Sequence, residues 1–295
     1  MLIRPTEPHR ARYALASVAI AGLVALGGCG SLGEASLGAA PAPQATGSED
    51  PIAAATATIA ANPNDAEAYN RRGALHLRYG HLREALHDLD QAIDLSPDLY
   101  QAYRNRGDAY KEQGKLDRAI ADYDRALAIN ADYADAYHSR GTAHAERADY
   151  ARARLDYDRA IALDPANQKI YNNVAIMLSR QGRTDEALAF ARKAIALDPS
   201  YALAYNTAGV AHARDGNFRE AAGQFTKAIE ISPQWSLAHL NRAKAYESIG
   251  LYSRALEDFR KAQELKPDNK AAAEGIARVS GKSDTQTEAI IGSSG

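Results

Sequence analysis

Apolar and small residues recur along this chain with a period of 34 residues. Six units follow one another without insertion or deletion: residues 66–99, 100–133, 134–167, 168–201, 202–235 and 236–269. Within a unit, position 4 carries Tyr69, Tyr103, Tyr137, Tyr171, Tyr205 and His239, and position 8 carries Gly73, Gly107, Gly141, Ala175, Gly209 and Ala243. Alanine holds position 20 (Ala85 to Ala255) and position 27 (Ala92 to Ala262) throughout, and position 24 carries Leu89, Tyr123, Tyr157, Ala191, Phe225 and Phe259. The small residues let two antiparallel helices approach closely, while the large ones at positions 4, 11 and 24 fill the space between neighbouring pairs. A glycine at position 15, replaced only by Ala148, ends the first helix with a left-handed backbone. Proline at position 32, replaced only by Ala131, ends the second. One such hairpin cannot bury its own apolar face, so the units must stack, and the pattern predicts an all-α solenoid of antiparallel helix hairpins.

The aromatic at position 4, Gly or Ala at 8, Ala at 20 and 27, the bulky residue at 24 and proline at 32 together resemble the tetratricopeptide repeat. The resemblance implies a right-handed superhelix. Its ends are expected to be incomplete: residues 51–65 as the second half of a degenerate unit, residues 270–280 as a capping helix, and residues 281–295 as a tail too polar and small-residue-rich to fold.

Members of this family typically bind extended or helical segments along the concave face, lined by first-helix positions 2, 5, 9 and 12 or 13. In units one to three those positions are mostly polar: Glu67, Asn70, Arg78, Gln101, Arg104, Asp108, Lys111, Glu112, Asp135, His138 and Glu146. Units four to six place Ile176, Leu203, Val210, Leu237 and Leu240 among Lys169, Asn172, Arg180, Asn206, Arg214 and Lys244. Apolar side chains at normally solvated positions point to a contact surface in these later units. Asn105, Asn173 and Asn241 at position 6 resemble the asparagine ladder of some arrays, since an amide both donates to and accepts from a peptide backbone. Trp235 ends unit five nearby, either joining this surface or packing between units. The partner-binding set expected from sequence is therefore Asn172, Asn173, Ile176, Leu203, Asn206, Val210, Leu237, Leu240, Asn241 and Lys244. The dicarboxylate clamp of cochaperone arrays is not matched: position 5 never carries Lys and position 9 never carries Asn.

Position 7 departs from the family's apolar residue. It carries Arg72, Arg106, Arg140 and Arg242 in four units, and those same four carry Asp88, Asp122, Asp156 and Asp258 at position 23. Units four and five have Val174 with Phe190 and Ala208 with Gln224. The hairpin brings positions 7 and 23 together, and a mostly buried arginine needs a partner, so four structural ion pairs are expected.

The first 28 residues read as a secretory leader: Arg4, Arg10 and Arg12 precede a run of about fourteen mostly apolar residues, shorter than the roughly twenty that span a bilayer. Leu26-Gly27-Gly28-Cys29 resembles the bacterial lipobox, and Cys29 is the only cysteine. The resemblance implies lipidation at Cys29, with an ordinary cleaved signal or an uncleaved anchor as the alternatives. Gly30 in place of Asp favours the outer membrane by that family's sorting rule. Residues 29–50 then form a tether rich in Ala, Gly, Pro and Ser.

Catalytic motifs are not found. The chain has no phosphate-cradling loop, nucleophile elbow or metal-spaced cluster, and His76, His144 and His212 share a packing position two units apart. No enzyme activity and no cofactor are expected. A net charge of −2 without a basic stripe argues against nucleic acid. The sequence thus leads to a lipid-anchored scaffold on the periplasmic side of the outer membrane whose partners are envelope enzymes, proteases or secretin subunits. A pilotin-like assembly factor and a self-associating structural protein are the other two readings.

Overall fold

A computed structural model describes residues 50–284, and the leader, Cys29 and most of the tether lie outside the described residues, as does the tail beyond Asp284. The described chain is a single file of helices with no strand among them. A first helix, α1 (Pro51–Ala61), precedes six hairpins: α2 (Ala66–Arg78) with α3 (Leu82–Leu95), α4 (Tyr100–Glu112) with α5 (Leu116–Ile129), and α6 (Ala134–Glu146) with α7 (Tyr150–Leu163). These are followed by α8 (Gln168–Arg180) with α9 (Thr184–Leu197), α10 (Ala202–Arg214) with α11 (Phe218–Ile231), and α12 (Ser236–Ser248) with α13 (Tyr252–Leu265); α14 (Lys270–Val279) closes the file. Each hairpin packs internally, and each second helix also packs on the first helix of the next unit. First helices touch one another in succession, whereas second helices are held apart, so the array curves with its first helices on the inner side.

Complementary volume sets the distance within a hairpin. A Cβ added to Gly107 would lie 2.6 Å from Tyr123 Cε1, and one added to Gly209 would lie 2.5 Å from Phe225 Cε1. Position 8 is therefore glycine beneath the rings of Tyr123, Tyr157 and Phe225, whereas unit six pairs Ala243 with Phe259, whose ring lies against Gly275 of α14 instead. Unit four breaks the rule on both sides, with Ala175 facing Ala191, and its large side chain moves one place to Phe190.

At the turn after each first helix, five glycines take φ between 72° and 80°, and Ala148 takes 61° in the same place. The following amide closes back on the carbonyl at position 11, as Asp149 N does on His144 O at 2.9 Å. This six-residue closure requires the left-handed residue whatever its side chain. At the end of α5, where Ala131 replaces proline, Asn130 Oδ1 accepts the Asp132 amide at 3.1 Å and holds the turn. Beyond α14 the chain runs on to Asp284, whose carboxylate accepts the Ser253 amide at 2.8 Å, so this part of the expected tail is fastened to α13.

The four arginines and aspartates form two-point pairs across their hairpins. Arg72 Nε and Nη2 donate to Asp88 at 2.7 Å each, and Arg106 does the same to Asp122 at 2.8 Å. Arg140 meets Asp156 at 2.9 and 2.7 Å, and Arg242 meets Asp258 at 2.7 and 2.9 Å. The remaining nitrogen reaches back to position 25 of the preceding unit: Arg106 to Asp90 and Arg140 to Asp124, with Thr56 and Thr226 receiving Arg72 and Arg242. Each arginine thus joins two units, a link the sequence pattern alone did not contain. Burial by itself would raise the Asp258 pKa, but the hydrogen bonds from Arg242 and His239 outweigh it and hold the group ionised below its ordinary range.

The link is missing where α8 and α10 carry Val174 and Ala208. There α7 meets α8 less extensively than other such neighbours meet. Arg154 of unit three instead lies over the Phe190 ring, 5.3 Å from its centre.

Two stability measurements follow. The Asp122 side chain is 9% exposed and that of Asp90 51%, so chemical denaturation is expected to show a loss of about 2–3 kcal/mol for Asp122→Ala and under about 1 kcal/mol for Asp90→Ala. Ala148→Gly is expected to stabilise by about 0.5–1 kcal/mol, because the relief of left-handed strain exceeds the added freedom of the unfolded chain.

Candidate functional site

The inner face is built by one stripe of each first helix, and side-chain amides stitch neighbouring stripes together. Asn105 Nδ2 donates to Asn70 Oδ1 at 2.8 Å, and Asn241 Nδ2 donates to Asn206 Oδ1 at 3.0 Å. Asn173 Nδ2 lies 2.8 Å from His138 Nε2 and 3.3 Å from Thr142 Oγ1. In each case position 6 of one unit reaches position 5 of the unit before it, at a separation of 35 residues. Asparagine occupies position 6 only in units two, four and six, so the links join units in pairs. Ser139 and Thr207 hold that place at the two intervening junctions and are too short to reach across.

Individual polar atoms of the residues left opposite them lack a hydrogen-bond partner, although Arg104 Nη1 still donates to Asn105 Oδ1 at 3.1 Å. Asn172 is fully buried, yet neither its Nδ2 nor its Oδ1 has a hydrogen-bond partner. Arg104 Nε lies 3.2 Å from Asp108 Oδ2, but it too is unaligned for a hydrogen bond, as is Gln101 Oε1 for want of a donor. Buried polar groups of this kind are rare in folded proteins and costly.

The ten residues expected to meet a partner divide into two sets. Asn172, Asn173, Asn206 and Asn241 are buried, three of them bonded to other units of the array. Leu240 is only 7% exposed and packs with Ala243, Phe259 and Ala272, so it belongs to the core. The expectation that these five lie open to a partner is corrected: close succession of the first helices covers them. Ile176, Leu203, Val210, Leu237 and Lys244 remain partly exposed. Burial, and then the nearby Arg278, lower the Lys244 pKa. Trp235 packs with Ala202, Ala228 and Ala238 between units.

Charge concentrates in the middle of the inner face. His138 is held neutral, with its pKa lowered to about 4, by burial first and then by the cation Arg104, with Lys111 and Lys169 adding to it. Asp108 accepts the Tyr123 hydroxyl at 2.7 Å and pairs with Arg104. Lys111 is 8% exposed, and its ion pair with Glu112 is long, at 3.9 Å. Sequence reasoning placed Arg104, Lys111 and His138 on this face but favoured the apolar half. The signal that singles them out is the alternation of asparagine at position 6.

Among the described residues no group of His, Cys, Asp or Glu is arranged to hold a metal ion, and no helix is long and apolar enough to cross a membrane. His144 is buried, and that burial lowers its pKa. A shallow cleft at the turn after α4 is spanned by the Arg147–Asp117 pair at 2.7 Å.

No curated protein matches the sequence. Among solved structures, a chain of the APC/C hetero-tetramer Cut9-Hcn1 is similar at 15% identity with a TM-score of 0.68, over 77% of this chain and 45% of that one. This chain thus spans less than half the length of that relative. A tetratricopeptide repeat protein from Parabacteroides merdae is similar at 22% identity and a TM-score of 0.63, over 77% of this chain and 89% of that one. PilW, a widely conserved type IV pilus biogenesis factor, is similar at 20% identity and a TM-score of 0.64, over 71% of this chain and 97% of that one. These are likenesses of fold. Family models described as tetratricopeptide repeats match residues 66–99, 134–167, 168–234 and 236–269, and one described as a TPR repeat matches 107–147. With these matches reaching into all six hairpins, the chain belongs to the tetratricopeptide repeat family, a scaffold fold for protein interactions.

Proposed function

We propose that this protein is a lipid-anchored scaffold facing the periplasm, which holds partner proteins along the inner face of its helix array and recruits cell-envelope enzymes or proteases. The observation that carries the reading is the order of parts: Leu26-Gly27-Gly28-Cys29, a tether, and then an array whose inner face keeps Ile176, Leu203, Val210 and Leu237 partly exposed. Lipid on Cys29 fixes the start of the tether at the membrane, since several acyl chains anchor stably where one is marginal. The tether then gives the array reach from the lipid surface. Binding, rather than chemistry, is the role that such a surface supports.

A second reading, a pilus or secretion assembly factor, draws on the likeness to PilW over nearly that protein's whole length. A third, self-association into a structural layer, places a second copy of the chain on the same array.

Cys29→Ala is expected to move the protein from the membrane fraction to the soluble periplasm, read by cell fractionation. Retention in the membrane removes the lipid anchor from the proposal. Crosslinking in intact membranes with mass spectrometry is expected to return hydrolases or proteases, with yield lowered by Leu203→Ser combined with Leu237→Ser. Recovery of a secretin selects the second reading, and recovery of the chain alone selects the third.

A further inference from the structure

We infer that the outer face of units two to four, formed by α5, α7 and α9, docks on an anionic phospholipid surface. This rests on the proposed lipid-anchored reading, which brings that surface within reach, and it adds the side of the array that lies against it.

The outward stripe of each second helix comprises positions 22, 26, 29 and 30, which helical spacing gathers on the side away from the core. Position 26 is basic in five successive units, as Arg125, Arg159, Lys193, Lys227 and Lys261. In units five and six a carboxylate three residues on neutralises it: Lys227 pairs with Glu230 at 3.2 Å and Lys261 with Glu264 at 2.7 Å. In units two to four that place is held by Ala128, Ala162 and Ala196, and among the described residues Arg125 and Arg159 have no carboxylate partner. Lys193 lies over the Phe190 and Tyr171 rings, 5.4 and 5.8 Å from their centres, and Arg192 beside it likewise has no carboxylate partner among the described residues. The acidic residues of these helices are engaged elsewhere, Asp124 by Arg140, Asp158 by Arg154 and Asp117 by Arg147, while Asp185 sits in the first turn of α9, away from Lys193.

The same three units expose apolar side chains beside those cations. Ile129, Leu163 and Leu197 at position 30 are 41%, 40% and 43% exposed, and Leu155 at position 22 is 67% exposed. Ile231 and Leu265 hold position 30 in units five and six and are half-buried. Leu95 of unit one is exposed too, yet Gln91 and Asp94 give it no cation. Single exposed leucines are ordinary, but four beside unpaired cations on one face make a contact surface.

The pattern suits lipid better than a protein partner. The apolar side chains stand singly, each one helical turn from a cation, unlike the packed cluster at the centre of a protein interface. Arginine and lysine lay their apolar stems along a headgroup layer while their charges reach phosphate. Each cation near an anionic leaflet strengthens attachment severalfold, and a leucine entering the acyl boundary adds to it. Residues 30–49 separate Cys29 from the described array, and a chain of that length spans at most about 70 Å. So few cations bind weakly and reversibly, so this face orients an array that the anchor holds, and turns the inner face away from the lipid.

The test uses the full chain with Cys29→Ala, which removes both the acyl chains and the only native thiol, and an environment-sensitive fluorophore attached through Leu155→Cys. A second labelled chain carries Gly223→Cys, the same position in unit five, where an added side chain meets no neighbour. Vesicles of phosphatidylcholine with phosphatidylglycerol are compared with phosphatidylcholine alone. The label at 155 is expected to shift to the blue on the anionic vesicles only, and the label at 223 on neither. The lipid concentration giving half the shift is expected to rise about tenfold or more for Arg125→Gln plus Arg159→Gln, and when salt rises from about 0.1 M to about 1 M. It is expected to stay within about twofold for Lys227→Gln plus Lys261→Gln, whose cations are already paired. An unchanged melting temperature excludes unfolding as the cause. No shift at 155, an equal shift at 223 or on neutral vesicles, or a shift indifferent to Arg125→Gln plus Arg159→Gln overturns the inference. Because no acyl chain takes part, such a failure leaves the anchor untouched. Retention of Cys29→Ala in the membrane fraction removes the anchor and leaves the shift at 155 to stand or fall by itself.

Discussion

Everything in this array depends on how closely two helices can approach within one hairpin. Glycine at position 8 admits the ring at position 24, and with a Cβ added there the ring would have to move by several tenths of an ångström. That contact sets how closely the two helices pack in units two, three and five, and the stacking repeats because every unit is the same length. Curvature then brings first helices together and leaves second helices apart. The inner face is narrow for this reason, and neighbouring first helices cover polar side chains such as Asn172, Asn206 and Asn241.

The departures from the pattern are coupled, because each removes a support that another must replace. In unit four the ring leaves position 24, the Arg–Asp pair is absent, and Phe190 occupies the place of the aspartate. Arg154 and Lys193 cover that ring, so a cation still reaches position 23, now from outside the hairpin. The bridges from position 7 to the preceding unit stop at the same junction and resume only with Arg242 and Thr226. The ionic frame therefore runs through units one to three and returns at unit six, with a segment held by apolar packing between.

Polar links on the inner face follow a different rhythm, joining units in pairs. A position that bonds across one junction has no counterpart across the next, so satisfied and vacant groups alternate along the array. Asn172 and the Nε of Arg104 are the vacant members, although Arg104 still pairs with Asp108 and donates to Asn105 Oδ1. Their cost is borne by a frame made stable elsewhere, which is the usual relation between a site and its scaffold.

The period of 34 residues was sufficient to specify the helices, their turns and their stacking, because each of these depends on residues close in sequence or on the same unit. Position 7 against position 23 was legible for the same reason: a hairpin of known length brings both to one level. Side-chain exposure on the inner face was not legible. Leu240, Asn206 and Asn241 occupy positions that a single helix would show to solvent, and only the neighbouring helix covers them. The tertiary structure also decided that asparagine at position 6 spends its amide on the preceding unit rather than on a partner. Burial there is set by the distance between first helices, a property of the whole curved stack that no single unit carries.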